Sequence, residues 1–107
     1  MRIGWPPSRD ISSRQTEGAR REAAEALAVN ALGWLAQDGE RLERFLSLSG
    51  LTPETVRQAA AEPGFFGAVL AHLMNDESLL LAFAANESLS PEQVARAAAL
   101  LDPHREP

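Results

Sequence analysis

The chain has 107 residues, 45 % of them hydrophobic, with no cysteine and a net charge of −5. That length suits one domain around one modest core, and the missing thiols exclude disulfides, thiolate nucleophiles and cysteine–zinc sites. Ten Arg and no Lys stand against fifteen acids, a balance that disfavours broad contact with nucleic acid, where phosphate binding needs clustered positive charge.

Residues 1–12 predict a flexible basic arm. Gly4, Pro6 and Pro7 break regular structure there, while Ile3 and Trp5 are apolar enough to dock on a core. Positive charge gathers at this end: residues 1–21 carry five Arg against Asp10 and Glu17, a net of +3, whereas the remainder nets −8. "MRIGWPPSRD" lacks the apolar stretch of a secretory signal. No apolar run approaches the roughly 18 residues of a membrane span. A cytoplasmic location with no membrane contact is expected.

A single helical domain is expected over residues 13–102, with 103–107 as a tail. Helix one is predicted to begin between Ser12 and Glu17, where Ser12 and Gln15 fit a capping box. Its apolar positions Ala24, Leu27, Ala28, Ala31, Trp34 and Leu35 step by three and four, which marks one buried face. Asp38 and Gly39 end it, and Asp38 suits the N-cap of helix two. There Leu42, Phe45 and Leu46 form the stripe, with Leu48 a further candidate, and Gly50 is a natural stop.

Helix three opens on Thr52-Pro53-Glu54, a capping residue followed by proline where no donor is needed. Val56, Ala59 and Ala60 point inward. Helix four carries Phe65, Phe66, Val69, Leu70 and Leu73. Helix five, "ESLLLAFAAN", is apolar around most of its circumference, so it is expected to be the most buried element. Helix six opens on Ser90-Pro91-Glu92-Gln93, a second capping box, and turns Val94, Ala97, Ala98 and Leu101 inward. Nothing alternates with period two, so no strands are expected.

The phrase "LTPETVRQAAA" at 51–61 returns as "LSPEQVARAAA" at 89–99. Laid without a gap, 27–64 and 65–102 share twelve identities, among them Leu35/Leu73, Asp38/Asp76 and Phe45/Phe83. The expected fold is therefore all-α: a compact bundle of five or six short helices built from two pseudo-repeated three-helix units that close on each other.

No catalytic constellation emerges. Ser12, Thr52 and Ser90 are explained as caps. Glu22/Glu25 and Glu40/Glu43 lie opposite the apolar stripes as solvated faces. His104 lies in the tail. His72 sits at the edge of the apolar face of helix four with Asp76 one turn on, a weak candidate for a hydrogen-bonded pair or part of a ligand site. Two such groups are too few for zinc, so no metal and no cofactor is expected. Phe65 and Phe66, about 100° apart on a helix, and Leu79 and Leu81 are the candidate interaction residues.

"ALGWLAQD", "ERFLSLSGLTPE" and "DESLLLAFA" together resemble a bacterial family known as domain of unknown function 3572, over about residues 22–101. The resemblance implies an all-helical fold and no assigned activity, hence no site. "LTPETV" and "LSPEQV" are also similar to the opening of the repeats of transcription-activator-like effectors, which wrap DNA. That likeness covers one helix start, the period here is 38, and shared capping chemistry accounts for it. The expected function is a protein–protein interaction or regulatory adaptor, with an unknown protein partner or a second copy of itself. The alternative is a small-ligand-binding or enzymatic pocket near His72. Nucleic-acid binding through the basic arm ranks below both.

Overall fold

A computed structural model of the chain describes residues 8–102, with side chains from residue 17 onward. Six helices follow in order: α1 (Ser8–Ala36), α2 (Gly39–Ser49), α3 (Val56–Ala60), α4 (Phe65–Met74), α5 (Glu77–Glu87) and α6 (Pro91–Leu101). No strand occurs among the described residues, so the fold is all-α as expected. The helical start differs. α1 begins at Ser8, so residues 8–12 belong to a helix and Ser12 lies inside it rather than capping it. The last proline ahead of α1 is Pro7, and between Ser8 and Ala36 only Gly18 and Gly33 weaken the helical tendency. Ile3, Trp5 and the tail with His104 lie outside the described residues.

The helix ends follow the capping chemistry. Asp38 accepts from the backbone N–H groups of Glu40 and Arg41, and Asp76 accepts from that of Leu79. Ser90 and Gln93 form the full reciprocal box at α6. Thr52 and Thr55 make the equivalent exchange, each hydroxyl accepting from the other's backbone N–H. There it holds a turn, and α3 proper starts only at Val56. Gly50 closes α2 in the left-handed region at φ 71°, with the Leu51 N–H donating to the Leu46 carbonyl. Ser88 closes α5 in the same conformation at φ 59°, with the Leu89 N–H donating to the Ala84 carbonyl.

Phe45, Phe83, Leu35, Leu70, Leu73, Val69 and Val94 are fully buried. Burying side chains of this size contributes about 1.5–3 kcal/mol each. The organising element is α4, which packs against each of the other five helices. Phe65, Gly67, Val69, Leu70 and Leu73 are buried on it, against Leu80, Phe83 and Ala84 on α5. The expectation that helix five is the most buried is therefore corrected: Leu81 remains 47 % exposed there, because the neighbours of α5 cover one side only. Leu48 is also outside the core, at 68 % exposure; two positions after Leu46, it turns to the opposite side of α2.

Gly67 explains why α4 holds this place. A Cβ at Gly67 would stand 2.5 Å from the carbonyl oxygen of Leu101, so the last turn of α6 lies directly against the α4 backbone. Glycine in a helix interior costs about 1 kcal/mol relative to alanine, and the close approach is the compensating reason for it.

The two copies of the repeated phrase lead to partly matched structures. α2 and α5 have bounds offset by 38 residues, as do the ends of α1 and α4. Trp34 packs on Phe83 with ring centroids 5.4 Å apart, and His72 packs on Phe45 at 5.2 Å; each pair joins one copy to the other, in crossed fashion. The third helices differ. α6 has eleven residues and packs on α1, α4 and α5, whereas α3 has five, buries no side chain and rests chiefly on α4.

Two substitutions check this account. Gly67→Ala displaces the end of α6, and a net loss of about 1–2 kcal/mol is expected after the gain in helix propensity, read as a lower urea midpoint with unchanged slope. Ser88→Gly relieves the left-handed penalty, and a gain of roughly 0.5–1 kcal/mol is expected after the added entropy of the unfolded chain. A midpoint unchanged in both would remove the stated roles of the two positions.

Candidate functional site

α1 and α6 lie side by side and leave an open groove of about 770 Å³. On α1 its wall is Arg20, Ala23, Ala24 and Leu27; on α6 it is Gln93, Arg96, Ala97, Ala99 and Leu100, with Leu89 just ahead of that helix. Apart from Leu89 and Ala99, both sets follow the i, i+3, i+4, i+7 spacing that keeps side chains on one helix face. The helices run antiparallel here: the Arg21 guanidinium donates to the Leu100 carbonyl at 2.9 Å, near the end of α6, while Asn30, further along α1, donates to Glu87, which precedes α6. The Arg21 contact also satisfies one of the open carbonyls at a helix end. Arg20 and Arg96 stand exposed on the groove.

A smaller cleft of about 250 Å³ lies between α2, the end of α4 and the start of α5, lined by Arg41, Arg44, His72, Asp76, Ser78 and Leu79. A neighbouring depression of about 590 Å³ shares Arg44, His72 and Asp76 and includes Leu48. The sequence places His72 and Asp76 together, and both line the cleft, but Asp76 Oδ1 is engaged with the Leu79 N–H. His72 Nε2 is buried with no hydrogen-bond partner, and the ring stands edge-on to Phe45. Burial pushes the His72 pKa below its ordinary value, the Arg44 charge lowers it further, and Asp76 opposes them. Across the cleft the Arg41 guanidinium lies 4.3 Å from the Trp34 ring centre and 3.8 Å from Asp38 Oδ2. No group of three His, Cys, Asp or Glu residues able to hold a metal occurs among the described residues.

Of the interaction residues expected from sequence, Phe65 is corrected: it is buried at 6 % exposure, edge-on to Phe45 at 6.2 Å, and has no free surface to offer. Phe66 is half-buried against it, Leu79 is half-buried at the His72 cleft, and Leu81 is exposed. Phe66 and Leu81 line none of these three cavities. The groove between α1 and α6 was not foreseen. Its two stripes are visible in the sequence, but periodicity alone does not say which helices meet along them.

A family model described as a protein of unknown function, DUF3572, matches residues 21–104. The chain belongs to this family. No curated protein and no solved structure matches it. The DUF3572 region takes in the His72 cleft and all of the groove except Arg20.

The lowered His72 pKa fixes a sign. Unfolded His72 returns towards its ordinary value near 6.5, so below that value the unfolded chain takes up a proton more readily than the folded one. The contribution of His72 is complete above that value and is lost as pH falls through the folded pKa. His72→Leu keeps an apolar neighbour for Phe45 and removes the orphaned nitrogen. The variant is expected to be at least as stable as the parent at neutral pH, with a shallower fall in urea midpoint down to about pH 5. An equally steep fall would place the titrating group elsewhere.

Proposed function

We propose that the chain is a non-catalytic protein–protein interaction module, a small regulatory adaptor that works in the cytoplasm. The observation that carries this reading is the open, largely apolar groove between α1 and α6, formed by two regular side-chain stripes. Matched stripes of small and apolar residues suit the seating of another helix. Exposed Leu48, Val29 and Leu81 add single apolar contacts elsewhere, though isolated residues of that kind are ordinary on soluble proteins.

A second reading, small-ligand binding or catalysis near His72, is favoured by one observation: an orphaned ring nitrogen beside a cleft with two guanidinium groups. The cleft's 250 Å³ falls below the roughly 300–1,000 Å³ usual for ligand pockets, so this reading ranks second. Binding of nucleic acid through the basic N-terminal segment has less support, because residues 22–107 net −8 and would repel phosphates. No single helix among the described residues is long and apolar enough to cross a membrane. α4 and α5 together would be, but they meet at a 110° bend and turn their apolar faces into the core.

The test is photo-crosslinking in the source cell, with a benzophenone side chain placed singly at Ala23, Ala99, Leu48 and Leu81 in the full chain. A discrete adduct with one other protein, recurring across growth conditions from at least one position, is expected. Silence from all four positions would withdraw the adaptor reading.

A further inference from the structure

We infer that the groove between α1 and α6 receives an acidic amphipathic helix of a partner protein, its apolar anchors on the alanine floor and its carboxylates on Arg20 and Arg96. This rests on the adaptor reading and deepens it by naming the chemistry of the partner.

Shape is the first argument. The floor is made by Ala23, Ala24, Ala97 and Ala99, with Leu27, Leu89 and Leu100 as its larger apolar groups. Small side chains let the axis of an incoming helix come close, and the spacing of both walls matches anchors at i, i+3, i+4 and i+7. Ala24 and Ala97 are already buried in the core, while Leu27 and Leu100 are only half-covered. A docking helix would complete that burial.

Charge is the second argument, and it selects among occupants. Arg20 and Arg96 are exposed, and neither has an ion-pair partner among the described residues. Glu17 and Glu92 stand about one turn away on the same helices, within salt-bridge distance of neither. Arg21 is engaged with the Leu100 carbonyl. Arg20 and Arg96 therefore place two exposed positive charges on this groove of a chain that nets −5. A guanidinium pairs with carboxylate in a planar, two-pronged geometry, so a helix bearing Glu or Asp beside its apolar stripe satisfies both features. A basic helix would be repelled. A lipid surface is a poorer match, since it engages protruding apolar side chains and this surface is concave.

The experiment uses the full chain and a labelled peptide about five turns long, with Leu at the i, i+3, i+4, i+7 positions and Glu at most others. Fluorescence anisotropy at low salt measures binding, and amide shifts locate it. Saturable binding is expected, with shifts centred on Ala23, Leu27, Ala97 and Leu100. Arg20→Glu and Arg96→Glu, both at exposed positions, should each weaken it by roughly tenfold. The same peptide with Lys for Glu should not bind. The inference is overturned by equal binding of the two peptides, by shifts centred on Leu48 or Leu81, or by no binding at millimolar peptide. It is also overturned if vesicles of anionic lipid, or a DNA duplex, occupy the groove and displace the peptide. Photo-adducts that persist at Leu48 or Leu81 alongside a failed peptide would refute the groove assignment and leave the adaptor reading standing; loss of every adduct would remove that reading itself.

Discussion

The approach of α6 to α4 at Gly67 is the constraint on which the arrangement depends. With no side chain there, the Leu101 carbonyl comes within a distance that a Cβ would forbid. α6 is thereby drawn onto the central helix over its last turn, with Val94, Ala97 and Leu101 in the core. Its C-terminal end then lies beside α1, where Arg21 can reach the Leu100 carbonyl. The groove is the open side of the seam along which α1 and α6 pack directly on each other. An anchoring contact in the core thus sets the geometry of a surface feature, and a bulkier residue at position 67 would disturb both.

Local chemistry was legible in the sequence and long-range partnership was not. Asp38, Asp76, Ser90 and Gly50 do what their residue types and positions imply, because a cap is decided within a few residues. The inward stripes of α1, α4 and α6 also follow from spacing. The misplacements share a different cause. Phe65 and Phe66 are neighbours of equal hydrophobicity, and which of them faces the core depends on where α2 lies. Leu81 belongs to a run of three leucines that gives its helix no clear side. Ser8 to Ser12 look loose only because proline and glycine precede them. The groove residues have a regular pattern, yet the same pattern would describe a wholly buried face if a further helix lay across it.

The two aligned segments differ at one position where chemistry could follow. Trp34 has its indole beneath the Arg41 guanidinium and against Phe83. At the corresponding position stands His72, smaller and polar, with a nitrogen that nothing satisfies and a cleft beside it. Replacing a large ring by a small one in a packed setting leaves space, and a ring nitrogen introduces a proton equilibrium where there was none. Charge is also unevenly placed: residues 22–107 net −8, while Arg20 and Arg96 both line one concavity.

The crossed ring contacts bear on how the molecule comes apart. Trp34 relies on Phe83 and Phe45 relies on His72, so each half of the chain completes its aromatic packing with a residue from the other. Neither half can melt first and leave its sibling with an intact interior. Denaturation should therefore be all-or-none through residues 24–101.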